Sequence, residues 1–198
     1  MARNTFLLET LTSVSGNLSN EENILCMAIF TNITRDISNV YEILKIENLV
    51  NAMVDAISSS SCDVRKCAVF ALQNMTCSNE CRQRLATSEV LSAISRAAFM
   101  HDEPDTKLGA LYALRNFCNE PSNIITITDT PGVTATLLAL ANEQGDEMSQ
   151  YLACDALSAL SQWLRITADS CFENVDHDET KANYRLPSLQ VTTWNQWQ

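Results

Sequence analysis

The chain has 198 residues, 46% of them hydrophobic, with only four glycines and four prolines, which suits one all-helical domain or a short solenoid. Its formal net charge of -11 weighs against nucleic acid or an anionic membrane as a partner, because phosphate binding needs clustered Lys and Arg. A basic peptide or protein is easier to accommodate.

Residues 4–15 read as a first helix that buries Phe6, Leu7 and Leu11, stopped by Gly16-Asn17. The next helix is expected over about 21–35. There Cys26, Ile29, Phe30 and Ile33 fall at i, i+3, i+4 and i+7, on one helical face. Asp36 to Asn39 reads as a turn. Short helices are expected at about 39–45 and 47–58, followed by the polar, flexible stretch SSSSCD. Asp63 is the expected N-cap of a helix that ends near Cys77. That helix repeats the stripe with Ala68, Ala71, Leu72 and Met75, 42 residues on.

The plan then recurs. Helices are expected at about 79–86 and 88–99, with a break at HDEPD. Pro104 and Asp105 signal the start of a strong helix whose stripe is Ala110, Ala113, Leu114 and Phe117, again 42 residues on. IITIT at 124–128 has the β-branched content of a strand. A lone strand would have no partner here, so a short helix is expected instead. Pro131-Gly132 opens a helix over 133–142, and Asn142 to Asp146 is a loop. The last strong helix runs from about Met148 to Ala168, with Ala153, Ala156, Leu157 and Leu160 as its stripe.

From Asp169 the helical period stops. A repeat domain over 1–169 and a tail over 170–198 are the expected division. The tail holds Phe172, Tyr184, Leu186, Val191, Trp194 and Trp197. That aromatic density suits a terminal cap, a partly disordered end, or a segment that folds back into the protein's own groove through Lys181 and Arg185.

Chemistry-bearing motifs are sparse. The eight cysteines do not read as a disulfide framework, because Cys26, Cys67, Cys118 and Cys154 fall inside expected helices, where a thiol serves as a small hydrophobe. FLLETLTSV, interrupted by Glu9, does not read as a secretory signal, and no apolar run is long enough to span a bilayer. A reducing compartment, cytoplasm or nucleus, is therefore expected, and the three sequons beginning at Asn17, Asn32 and Asn74 are read as unglycosylated. No phosphate loop is present. Two histidines, His101 and His177, offer no base–nucleophile plan, so no enzyme is expected. Cys77 and Cys81 lack a nearby His, and Asp176 to Glu179 reads as an acidic turn, so no metal or other cofactor is expected.

A second column, Leu7, Leu49, Leu91 and Val133, is also spaced by 42. Two columns at one period imply stacked three-helix repeats, which bury their stripes only against neighbours. A third column, Asn32, Asn74 and Asn116, falls on the last helix of each unit, with Ala159 in the fourth copy. One turn earlier stand Ala28, Phe70, Tyr112 and Asp155. The acidic column Glu21, Asp63, Asp105 and Glu147 lies at helix starts, where capping and the helix dipole account for it.

The period, the three-helix unit, and ALQN at 71–74 with ALRN at 113–116 resemble the armadillo repeat family over about residues 4–168. The resemblance implies an all-α, right-handed superhelix of about four repeats that acts as a protein-interaction module or scaffold. In members that bind peptides in their groove, such as nuclear-import adaptors, the Asn holds the backbone of an extended peptide and the residue one turn before it packs on the peptide's side chains. Carried over, Asn32, Asn74 and Asn116 would form the clamp, Phe70 and Tyr112 would flank it, and Asp155 would meet a Lys or Arg of the ligand. This chain has no Trp at the flanking position, and Ala159 ends the ladder. The residues alone leave two alternatives open. The Asn amides can bond neighbouring helices or face water, and the aromatics can pack on the next helix. A structural or assembly subunit, or a fragment of a longer repeat protein, self-associating through its end repeats, is the alternative function.

Overall fold

The computed structural model describes the backbone over residues 20–174 and the side chains over 21–46 and 48–166. The helix expected at 4–15 and most of the tail lie outside these residues. Ten α-helices are described: α1 Asn20–Ile33, α2 Ile37–Ile43, α3 Glu47–Ala56, α4 Cys62–Met75, α5 Asn79–Leu85, α6 Ser88–Ala97, α7 Pro104–Cys118, α8 Ile124–Asp129, α9 Val133–Ala141 and α10 Glu147–Asn174. A short 3-10 turn, Pro121–Asn123, leads into α8. By contacts the chain divides after Leu164, and of the second unit only the end of α10 is described.

The helices fall into three complete triplets, α2–α4, α5–α7 and α8–α10, preceded by α1, which matches the third helix of a triplet. The core follows the apolar columns. Ala68, Ala71, Leu72 and Met75 of α4 are fully buried, as are Ala110, Ala113, Leu114 and Phe117 of α7. Leu49, Leu91 and Val133, from the middle helices, are equally inaccessible. Each repeat therefore closes a layer of its neighbour's core. Replacing one such Leu by Ala should cost about 2–5 kcal/mol.

Local signals explain the boundaries. Asp36 caps α2 by accepting from the Ser38 backbone N–H at 2.9 Å and the Ser38 hydroxyl at 2.8 Å, which lowers its pKa. Thr87 caps α6 by accepting from the Val90 N–H. Pro104 occupies the first turn of α7, where no N–H is needed. IITIT is helical within α8, as stacking requires. Gly132 stands before α9 at φ 89°, a left-handed conformation that costs a glycine little.

Several details differ from expectation. Asp63 is not the N-cap of α4. Ser61 holds that place, and Asp63 lies in the first turn, where only the dipole favours it. Asp146, rather than Glu147, bonds the first turn of α10, through the Ser149 N–H and hydroxyl. Ile29, expected on the buried stripe, is 41% exposed, and Cys154 is exposed rather than packed. No single described helix is long and apolar enough to cross a membrane; the apolar pair 121–129 and 133–141 is bent by 95°.

Candidate functional site

The third helices α1, α4, α7 and α10 carry the Asn and aromatic columns, so their exposed edges form the candidate face. α4 packs extensively on α1 and α7 packs extensively on α4. Polar bonds tie these seams together. Asn74 Nδ2 donates across to α1, to the Thr31 carbonyl at 3.1 Å and the Thr34 hydroxyl at 3.3 Å. Asn116 Nδ2 donates to the Thr76 hydroxyl at 2.9 Å. In the other direction, the Thr31 hydroxyl lies 2.8 Å from the Cys67 carbonyl of α4.

Two of the three Asn residues therefore direct their donors into the stack. Thr34 and Thr76, which receive them, are buried. Asn32 is exposed. This inward bonding is one of the two arrangements the residues left open, and it uses both N–H donors of Asn74 and one of Asn116. Sequence reasoning does not single out the acceptor partners, although a signal exists. Thr34 and Thr76 are one repeat apart, and the next member of that column is Cys118. Where Cys118 replaces Thr, Ala159 replaces Asn, so the polar pair is exchanged for an apolar one.

The flanking column is also partly committed. Phe70 is half-buried and its ring lies over Gly109 of α7. A Cβ at Gly109 would meet Phe70 Cε1 at 2.8 Å and Cδ1 at 2.9 Å. Tyr112 is half-buried against the core edge. Ala28 presents little surface. Asp155 is paired within the chain, accepting from Arg115 Nε, and each side chain of the pair is about one-third exposed. Tyr151 of α10, outside every column read from the sequence, is 60% exposed beside this pair.

Charge pairs join every later seam. Lys66 of α4 meets Asp105 of α7 at 2.6 Å, with both side chains well exposed. Further from the Asn column, Arg65 pairs with Glu103. One repeat on, Lys107 pairs with Glu143 at 2.7 Å and Asp146 at 2.9 Å. Lys107 is only 4% exposed. Burial opposes its charge, but the two carboxylates outweigh burial and raise its pKa. Asp146 falls to about 2, chiefly through the Ser149 hydroxyl and then Lys107. Burial pushes the Cys118 thiol up to about 12, so that sulfur is not a nucleophile at neutral pH. Among the described residues no cluster of three His, Cys, Asp or Glu could hold a metal ion. A cleft of about 400 Å³ opens between the loops before α4 and α7, near Ile57, Phe99 and His101. Its Arg65 and Glu103 already serve the seam.

Comparison with solved structures places this arrangement. A designed armadillo repeat protein superimposes with a TM-score of 0.66 at 24% identity, covering 77% of this chain and 64% of that one. The fold is that of the armadillo repeat. A designed armadillo repeat protein in complex with the peptide (KR)4 gives 0.67 at 20% identity, covering 89% of this chain and 75% of that one. Computationally designed armadillo repeat proteins for modular peptide recognition give 0.66 at 17% identity, with 88% and 76% covered. No protein-family model matches the sequence, and no curated protein matches it. The armadillo assignment thus rests on the stacking of three-helix units and covers the fold.

Proposed function

We propose that this armadillo-like protein is a binding module that takes an extended, basic protein segment along the exposed edges of α1, α4, α7 and α10. The observation that carries this reading is the repetition of ligand-competent side chains at one repeat spacing on stacked third helices. Asn74 and Asn116 sit over successive seams, and Phe70, Tyr112 and Asp155 stand one turn before the Asn column. An extended chain offers contacts at regular intervals, and a solenoid edge offers partners at regular intervals.

Charge selects the basic ligand. Asp63 and Glu147 are exposed in the first turns of α4 and α10, while Lys66 and Arg115 are already engaged by Asp105 and Asp155. The chain as a whole is strongly acidic. Binding of a (KR)4 peptide by a designed protein of similar fold supports the same choice. Inward bonding of the Asn donors shifts the weight of recognition toward the aromatic and acidic groups.

Fluorescence anisotropy with a labelled eight-residue alternating Lys-Arg peptide tests the proposal. Saturable binding that weakens with salt, and weakens several-fold in Tyr112→Ala, is expected. Equal binding of a Glu-rich peptide of the same length, or no binding to the basic one, would overturn it.

A further inference from the structure

The proposed binding of a basic segment leaves open why an arginine stands on a face that should attract cations. We infer that Arg115 is an internal occupant of a guanidinium subsite formed by Tyr112, Tyr151 and Asp155, and that an arginine of the ligand exchanges with it. This inference rests on the proposed function and goes further, naming one subsite and the residue that restrains it.

Geometry supplies the argument. Tyr112 and Arg115 are three residues apart on α7, and Tyr151 and Asp155 are four apart on α10. Each pair therefore shares one face of its helix. The Arg115–Asp155 ion pair brings these two faces together across the seam. Both phenols lie within electrostatic reach of the Arg115 guanidinium.

Three features separate this pair from a structural staple. First, it is open: the side chains are 34% and 36% exposed, whereas the Lys107 side chain in the neighbouring staple is 5% exposed. Second, Asp155 engages Arg115 at Nε alone, not through the two parallel bonds that make an arginine–carboxylate pair strong. Third, Tyr151 is held 60% exposed beside the pair, and the guanidinium stacks on neither tyrosine among the described ring contacts. A ligand guanidinium arriving from solvent can use that ring as well as the carboxylate, an advantage that Arg115 forgoes.

The sequence adds that the occupant is particular to this seam. The positions equivalent to Arg115 in α1, α4 and α10 are Thr31, Gln73 and Ser158. None carries charge. Lys66–Asp105, at the preceding seam, is the weaker candidate because no tyrosine pair accompanies it. A half-open ion pair is of modest strength, so exchange is feasible and its cost to the ligand is small. The affinity lost to self-occupancy follows from the fraction of time the subsite is filled.

The test uses the full chain and two labelled octapeptides, alternating Lys-Arg and all-Lys, at fixed salt. Arg115→Ala should bind the Lys-Arg peptide about two- to fivefold tighter than wild type, with a smaller gain for the all-Lys peptide. Arg115→Gln, which keeps more of the side chain, should show the same direction, and a circular dichroism melt confirms that each variant is folded. The double variant Arg115→Ala/Asp155→Asn should lose the gain. Arg96→Ala removes an exposed cation elsewhere and should gain nothing, which separates the subsite from general charge. If wild type binds and neither Arg115 variant binds more tightly, or if the double variant keeps the gain, the internal occupant is refuted while the binding face stands. If no variant binds either peptide, both readings fall.

Discussion

Substituting Asn116 by Ala tests whether the Asn column holds the stack together. Asn116 Nδ2 is 2.9 Å from the Thr76 hydroxyl, and that hydroxyl donates in turn to the Gln73 carbonyl at 2.6 Å. Thr76 is fully buried. Its accepting side therefore faces Asn116 with no route to water. A neutral hydrogen bond contributes about 0.5–1.5 kcal/mol net, and stranding a buried polar group costs about 1–3 kcal/mol. Asn116→Ala should then destabilise by about 1.5–2.5 kcal/mol, or roughly 3–10 °C in melting temperature for a chain of this size.

Thr76→Val removes the acceptor but leaves the half-buried Asn116 amide able to turn toward solvent, so about 1 kcal/mol is expected. The double variant should cost less than the sum of the singles, with a coupling of about 1 kcal/mol. Urea unfolding of the four proteins gives this cycle directly. A cost for Asn116→Ala below about 0.5 kcal/mol, with coupling near zero, would refute the stitch and return the whole amide to solvent and to ligand.

Other seams give independent tests. Gly109→Ala should destabilise by about 1–2 kcal/mol because the added methyl meets the Phe70 ring at 2.8 Å and Val69 Cγ1 at 3.1 Å; with Phe70→Ala as the background the cost should shrink to below about 1 kcal/mol, since only the Val69 contact remains, both read by urea unfolding. Asp146→Asn should cost about 1 kcal/mol at neutral pH, after discounting for a side chain 38% exposed. Because the folded pKa of Asp146 is depressed to about 2, that contribution is present above the ordinary value of 3.8 and disappears as pH falls toward 2, so the stability curves of the wild type and the Asp146→Asn variant should converge there. Lys107→Met should lower stability by about 1–3 kcal/mol, since two carboxylates lose a buried cation; an unchanged urea midpoint would show that water replaces it. Ala159→Asn combined with Cys118→Thr should be less harmful than the sum of the two single changes, because the pair restores the Asn–Thr rung at the last seam.

The triplets were legible in the sequence because burial by a neighbouring repeat recurs at a fixed period. Ala110, Leu114 and Phe117 face the same environment as Ala68, Leu72 and Met75, so the same residue types return. The helical state of Ile124–Asp129 was legible for the same reason, since stacking outranks the local strand propensity of IITIT. Caps were less legible. Asp63 and Glu147 have the right chemistry for a cap, but Ser61 and Asp146 hold the better places, and a shift of one or two residues leaves the periodic pattern untouched. The direction in which a half-buried side chain bonds was not legible at all. Asn74 sits where an outward or an inward amide fits equally well, and only the placement of Thr31 and Thr34 at the end of α1 decides between them.

That decision bears on recognition. An amide that both donates and accepts can hold a peptide unit on its own, but Asn74, with both N–H groups spent on the preceding repeat, can only accept, and Asn116 keeps one N–H. A ligand on this face would then supply the donors, as backbone N–H groups or as Lys and Arg heads, and would draw its remaining affinity from Tyr112, Tyr151 and Asp155. The same inward bonds tie the face together, because Asn74 and Asn116 each fix a seam between successive third helices. Rigidity lowers the ordering cost of binding. On the proposed reading, Asn74 and Asn116 would fix the spacing of the third helices and the tyrosine–aspartate cluster would present the groups that a basic segment touches.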